Sequence, residues 1–413
     1  MRKISNLELK LQLTNEYLRS GGLETIRDNI LLTDLINFNQ NDLETVTPRM
    51  NAFMLAILGR HTIAPYFSEN QISEYDSFLQ KSYLFDQKQI DSESDFDKVY
   101  EELKEAKEML FRGQREARWR LYSSLQRFWV WHKLNETEKD YLQFIKKMID
   151  LGKSLHKTTI EEILKEDTFD TINDIAVLGF LQHHDTPTPL LDWTYSFQNA
   201  LFFGIDNIES NPGMKEINNY FSIYYIPESG FGQGGMRKVL DDGLKRLGDE
   251  LKIDFMKKLS KNDEDFQKMK EHFEQRNFFD TNRVKGSGLI NHMTRIEYLI
   301  NVPITYFSDN ESDSNLIFSI TNSENIKNQK GVFTWNSDPS KPLEMKGNEL
   351  YNESPTENDP EDYRFSGCYN INKNLAPYIK TKLEQDGITK EYIYPDSDLN
   401  TWHVYEESKN AST

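Results

Sequence analysis

"YFSIYYI", residues 220–226, is a short run of aromatic and β-branched residues that reads as a β-strand. Similar runs are "LFFGID" (201–206), "IEYLINV" (296–302), "NLIFSIT" (315–321) and "GVFTW" (331–335). Helical stretches separate them, but not as βαβ repeats of even length. The pattern therefore predicts an α+β fold with a mixed or largely antiparallel sheet. Residues 237–279 are charge-rich and helical in pattern, and read as an insertion on the sheet scaffold.

Working outward, residues 1 to about 95 read as a helical N-terminal region, with Leu, Ile and Phe at three- and four-residue spacing and turn signals at 20–22 and 47–49. The stretch "DSESDFDKVYEELKEAKEML" (91–110) opens with capping residues and continues as an amphipathic helix that leads to Phe111. Residues 336–363, rich in Pro, Asn, Ser and acid, read as a long loop. A last helix ends at Gly387, and residues 406–413 read as a frayed tail. The expected division is a helical region over 1–95, a main domain over 96–405 and a tail over 406–413.

Composition bounds the rest. Aromatic residues make up 12% of the chain, too much apolar surface for a disordered protein. The net charge of −18 argues against a surface that coats nucleic acid, though a local basic cleft stays open. With Cys368 as the one cysteine, no intramolecular disulfide can form, which fits a reducing compartment. The N-terminus lacks the unbroken apolar core of a secretory signal. The longest apolar run, "AFMLAILG" (52–59), is far short of the ~20 residues a bilayer crossing needs. A cytoplasmic protein without a membrane span is expected. The helix over 51–61 reads as core-facing, with a docking face for a partner as the alternative.

The chemistry concentrates in two stretches. In "FRGQREARWRLYSSLQRFW" (111–129), Arg112 offers a planar fork of donors suited to a carboxylate or diphosphate, and Gly113 would let a ligand approach the backbone. The alternative is an arginine paired with one of the acids nearby. The further arginines of this stretch suit either single-stranded nucleic acid or the acidic segment upstream. In "LGFLQHHDTPTPLLDWTYSFQNALFFGID" (178–206), the adjacent His183 and His184 would diverge and make a poor chelate, so no metal is expected. They read instead as a helix end, with "PLLDW" holding a turn, Asp192 accepting hydrogen bonds, and Thr194 and Ser196 displayed before the apolar helix "FQNALFFG". The Gly-rich "SGFGQGGMRK" (229–238) lacks the ending of a phosphate loop and reads as a flexible turn.

Taken in order, "FRGQ", "SSLQR" (123–127), "LQHHDTPTPLLDWTYSFQNALFFG", "NIKNQKGVFTW" (325–335) and "GITKEYIYPDSD" (387–398) resemble the FRG-domain family over roughly residues 105–405. A weaker resemblance is to ADP-ribosyltransferases. Their first-strand aromatic-Arg-Gly motif looks like "FRG", and their second motif with its following helix looks like "DWTYSFQNALFFG".

The second resemblance implies a sheet of ADP-ribosyltransferase-like type and NAD as substrate. Arg112, with Gly113 and Gln114, would hold the diphosphate, and Thr194 or Ser196 the nicotinamide ribose or amide. Trp193 or Tyr195 would face the ring, with His183 and Asp192 completing the site. The catalytic carboxylate has two candidate positions: Glu297, on a strand within "RIEYLINVP" (295–303), and Gln329, which takes the first place of a Gln-x-Glu motif but puts Gly331 where the acid belongs.

The implied function is a toxin or phage-defence effector that transfers ADP-ribose to a protein or nucleic-acid acceptor and is held in check by an antitoxin or regulatory partner. If neither position supplies a carboxylate, the same fold is a non-catalytic nucleotide-binding sensor.

Overall fold

The computed structural model describes residues 73–138, 140–163, 173–208, 215–231, 260–273, 295–299, 302–309, 318, 320–352, 364–395 and 399–410, with isolated positions between 242 and 258. The helical expectation for residues 1–72, the apolar stretch 51–61 and most of the glycine-rich turn at 229–238 lie outside the described residues. Within the segment 237–279 read as a helical insertion, Asp263–Phe273 is a helix.

Seven strands are described: β1 (Phe85–Ile90), β2 (Met109–Gln114), β3 (Leu190–Thr194), β4 (Tyr220–Pro227), β5 (Ile304–Phe307), β6 (Gly331–Asn336) and β7 (Ser366–Asn372). The fold is α+β, as the sequence predicts. The chain divides into two compact units. The first takes the described residues up to Leu121 together with Phe197–Gly230 and Ser340–Ile388; the second takes Tyr122–Ser196, Phe231–Pro339 and the residues from Thr389 on.

In the first unit the strands run in the order β1-β7-β4-β2. β1 and β7 pair in parallel, while β7 with β4 and β4 with β2 are antiparallel, so the array is mixed. Alternation along each strand gives the sheet two unlike faces. Phe111, Phe221, Ile223 and Ile371 lie on one face and pack against the helices Glu93–Leu103, Phe197–Ile205 and Ala376–Gln385. Ser92 caps the first of these helices by accepting from the Asp95 amide, and Gly387, at φ +78°, follows the end of the last. Asp97 joins the two, accepting from the Tyr378 hydroxyl at 2.9 Å and from Lys382 at 2.5 Å.

The second unit holds an antiparallel array in the order β3-β6-β5. The helices Tyr141–Ile163, Asp174–His183 and Trp402–Asn410 share its core, which includes Phe144, Phe180, Phe333, Trp335 and Val404. Asn173 caps the middle helix by accepting from the Ala176 amide.

Several expectations are corrected. Phe85–Ile90 is a strand inside the region read as helical. Leu201–Ile205 of "LFFGID" belong to the helix Phe197–Ile205; the helix's buried residues Phe197, Ala200, Leu201 and Gly204 follow a helical repeat that a short strand reading overlooks. Ile296–Leu299 is a helix turn rather than the start of a strand: Ile296 and Leu299, three apart, both enter the core, and the strand begins only after Pro303.

In "NLIFSIT", residues 318, 320 and 321 form no strand. The Phe318 and Thr321 amides donate to Asp309, which takes donors a ladder would use. The long loop contains the helix Leu343–Asn352, and the tail continues the helix Trp402–Asn410, with Ser408 buried.

Candidate functional site

The other face of the four-stranded array is polar. Register places Gln114, Ser222, Asn370 and Gln89 in one row across β2, β4, β7 and β1, and Arg112, Tyr224, Cys368 and Gln87 in the next. Over the rows lies Lys81, from the helix Phe78–Ser82. Its ammonium, with no exposed surface, donates to Ala117 O at 2.9 Å, Ser222 Oγ at 2.8 Å and Asn370 Oδ1 at 2.8 Å, and stands 4.6 Å from the Tyr224 ring centre.

Three acceptors match its three donors. Burial lowers its pKa to about 8, against the smaller opposing pull of Cys368 and Glu344. Burial likewise raises the Cys368 thiol to about 11.

At the margin of this layer Glu344, fully buried, accepts from Arg120 Nε at 2.9 Å, Tyr75 Oη at 2.6 Å and the Leu121 amide at 3.2 Å. The carboxylate joins the start of the helix Leu343–Asn352 to the chain following β2. Burial, then Glu344, raises the Tyr75 pKa well above its ordinary value.

Arg112 sits in the middle of β2, partly exposed, opposite Tyr224 in register. Its charge reaches that phenol, although burial dominates and holds the Tyr224 pKa up. Two residues on and on the same face, Gln114 is buried, and neither atom of its side-chain amide has a hydrogen-bond partner among the described residues.

Gly113 points the other way. A Cβ there would lie 1.9 Å from Ala200 O and 2.6 Å from Gly204 N, so close packing of the helix Phe197–Ile205 accounts for this glycine, where a ligand's approach was expected.

The remaining expected site residues lie in the second unit, where β3, β6 and their flanking helices gather most of them. Asp192 accepts from Gln182 Nε2 at 2.8 Å, and Trp193 Nε1 donates to Thr334 Oγ1 at 2.9 Å. Thr194 and Ser196 are buried. Thr194 Oγ1 donates to Gln329 O at 2.6 Å and accepts from the Ser196 amide at 2.9 Å, which fixes the turn into the next helix. Gln329 ends the helix Glu324–Gln329, and its Nε2 donates to Ile393 O at 3.0 Å.

His183, at its helix end as expected, packs edge-on to Phe333 with Nε2 shut off from solvent; burial, then His184, lowers its pKa to about 3. Glu297 lies on a four-residue helix, where a strand was expected, and forms an ion pair with Lys146.

Sequence reasoning did not find Lys81, Ser222, Tyr224, Asn370 or Glu344. The polar members alternate with Phe221 and Ile223 in β4, and the same period runs through the strands around Gln87 and Cys368. Reading both faces of each strand would have exposed the layer.

Fold and site together define an α+β protein whose mixed sheet buries hydrophobic residues on one face and a layer of arginine, lysine and amides on the other. The chain carries an FRG domain: residues 107–212, from β2 through β3 and the helix that follows it, match that family. No curated protein and no solved structure matches the chain. Among the described residues no helix is long and apolar enough to cross a membrane.

Proposed function

We propose that the protein is a nucleotide-binding sensor of the toxin and phage-defence kind, with NAD as its ligand, and that it breaks no bond. The observation that carries this reading is the pairing of Arg112 with the buried Gln114 on one face of β2. A guanidinium matches a diphosphate, and a buried amide whose donor and acceptor both lack partners among the described residues matches a carboxamide or base edge that offers one of each. Leaving such an amide unsatisfied costs roughly 1–3 kcal/mol, so a partner on that side would be strongly favoured.

The non-catalytic side of the reading rests on Glu297 and Gln329. Glu297 is held on a helix turn by Lys146, and the Gln329 amide is engaged by Ile393 O.

A second reading, ADP-ribosyl transfer on a sheet of ADP-ribosyltransferase-like type, is supported by the strand placement of "FRG" and by the strand, turn and helix formed by "DWTYSFQNALFFG". In that chemistry nicotinamide leaves with the electrons of its glycosidic bond, the ribose passes through an oxocarbenium-like state that a carboxylate stabilises, and an acceptor nucleophile forms the new bond. The acceptor would be protein or nucleic acid, and an antitoxin or regulatory protein would restrain the effector.

The test is to incubate purified protein with NAD and candidate protein and RNA acceptors. The sensor reading expects thermal stabilisation by NAD, lost in Arg112→Ala, and no nicotinamide release. Release by the wild type that is lost in both Arg112→Ala and Glu297→Gln would overturn it in favour of transfer.

A further inference from the structure

Outside the Arg112 face, two imidazoles meet in the second unit. His156, on the helix Tyr141–Ile163, and His403, in the first turn of the helix Trp402–Asn410, bring their Nε2 atoms to 3.2 Å. We propose that this pair is a binding site for a late first-row divalent metal ion of the zinc or copper class, clamping the C-terminal helix to the long helix.

The geometry carries the assignment. With metal–nitrogen bonds of about 2.0–2.1 Å, two nitrogens at this separation subtend roughly 100° at the ion, between the square-planar and tetrahedral angles. The rings come from two packed helices, so the nitrogen separation is set by backbone elements. His156 is buried and held against Phe180, with ring centres 5.7 Å apart, whereas His403 is exposed and gives an ion a route from solvent.

The lysines flanking His156 on its own helix are paired, Lys153 with Asp174 at 2.6 Å and Lys157 with Glu161 at 3.6 Å, which tempers their repulsion of a cation. Among the described residues no group of three or more His, Cys, Asp or Glu side chains is arranged around a metal. Water would therefore fill the remaining positions, as in an open site. The sequence expectation of no metal rested on the diverging His183 and His184 and on the lack of a second ligand pair along the sequence; His156 and His403 are 247 residues apart and meet only in the fold.

An ion that binds only the folded arrangement raises thermal stability by mass action. The experiment uses the full chain, stripped by chelator, with zinc chloride as probe, for the wild type and for His403→Gln, a change at an exposed position. The clamp expects a zinc-dependent rise in Tm for the wild type that is lost in His403→Gln, and copper(II) spectra showing two nitrogen ligands in the wild type only. No rise in the wild type, or equal rises in both proteins, would overturn it and leave the pair as a hydrogen bond between the two rings.

Discussion

At Gly113 the space for a methyl group is already occupied by backbone, the Ala200 carbonyl and the Gly204 amide. Overpacking generally costs about 1–3 kcal/mol, and backbone atoms yield less readily than side-chain ends. Gly113→Ala is therefore expected to destabilise by at least about 3 kcal/mol, measured as a lower urea midpoint.

Lys81 makes a pH prediction. Its pKa of about 8 in the folded state lies below its ordinary 10.5, so between these values the unfolded chain binds more protons. The contribution of the neutral amine is complete above the unfolded pKa and is lost as pH falls through 8. The stability of the wild type relative to Lys81→Met should thus climb between pH 8 and 10, by up to about 1.4 kcal/mol per pH unit. A difference flat with pH would mean that the buried amine does not titrate in this window.

The elements show what could be read in advance. β4 and β6 were legible because their apolar and aromatic residues form continuous runs, and the helices Glu93–Leu103 and Ala376–Gln385 because their ends carry clear signals, a Ser92 cap and Gly387. β1 and β7 were not legible: "FDQKQI" and "SGCYNIN" carry polar residues on the face that Lys81 covers, so each strand looks solvent-exposed until its partner is known.

The helix Leu343–Asn352 was hidden for a related reason. Its anchor is Glu344, whose partners Tyr75 and Arg120 are distant in sequence. Removing one member of a buried ion pair leaves the other uncompensated, at a cost of about 3–5 kcal/mol. Glu344→Ala should lose that much by denaturant unfolding. Of the candidate site, Arg112 and Gln114 were legible from the motif alone, while the strand expected for Glu297 depended on a run in which the buried Ile296 and Leu299 instead follow a helical spacing.

On the scale of the whole molecule, each compact unit is assembled from three separated stretches of chain, and the FRG segment supplies parts of both. This explains why a motif reading could find individual strands without finding what covers them. Against a net charge of −18, the proposed binding of an anionic nucleotide should depend on the partly exposed Arg112.

The most direct measurement is calorimetric titration of NAD into the full-length wild type and into Arg112→Ala. Saturable binding to the wild type, and its loss in a variant that still unfolds cooperatively, is the result predicted. Equal binding to both proteins, or none to the wild type, would contradict the account.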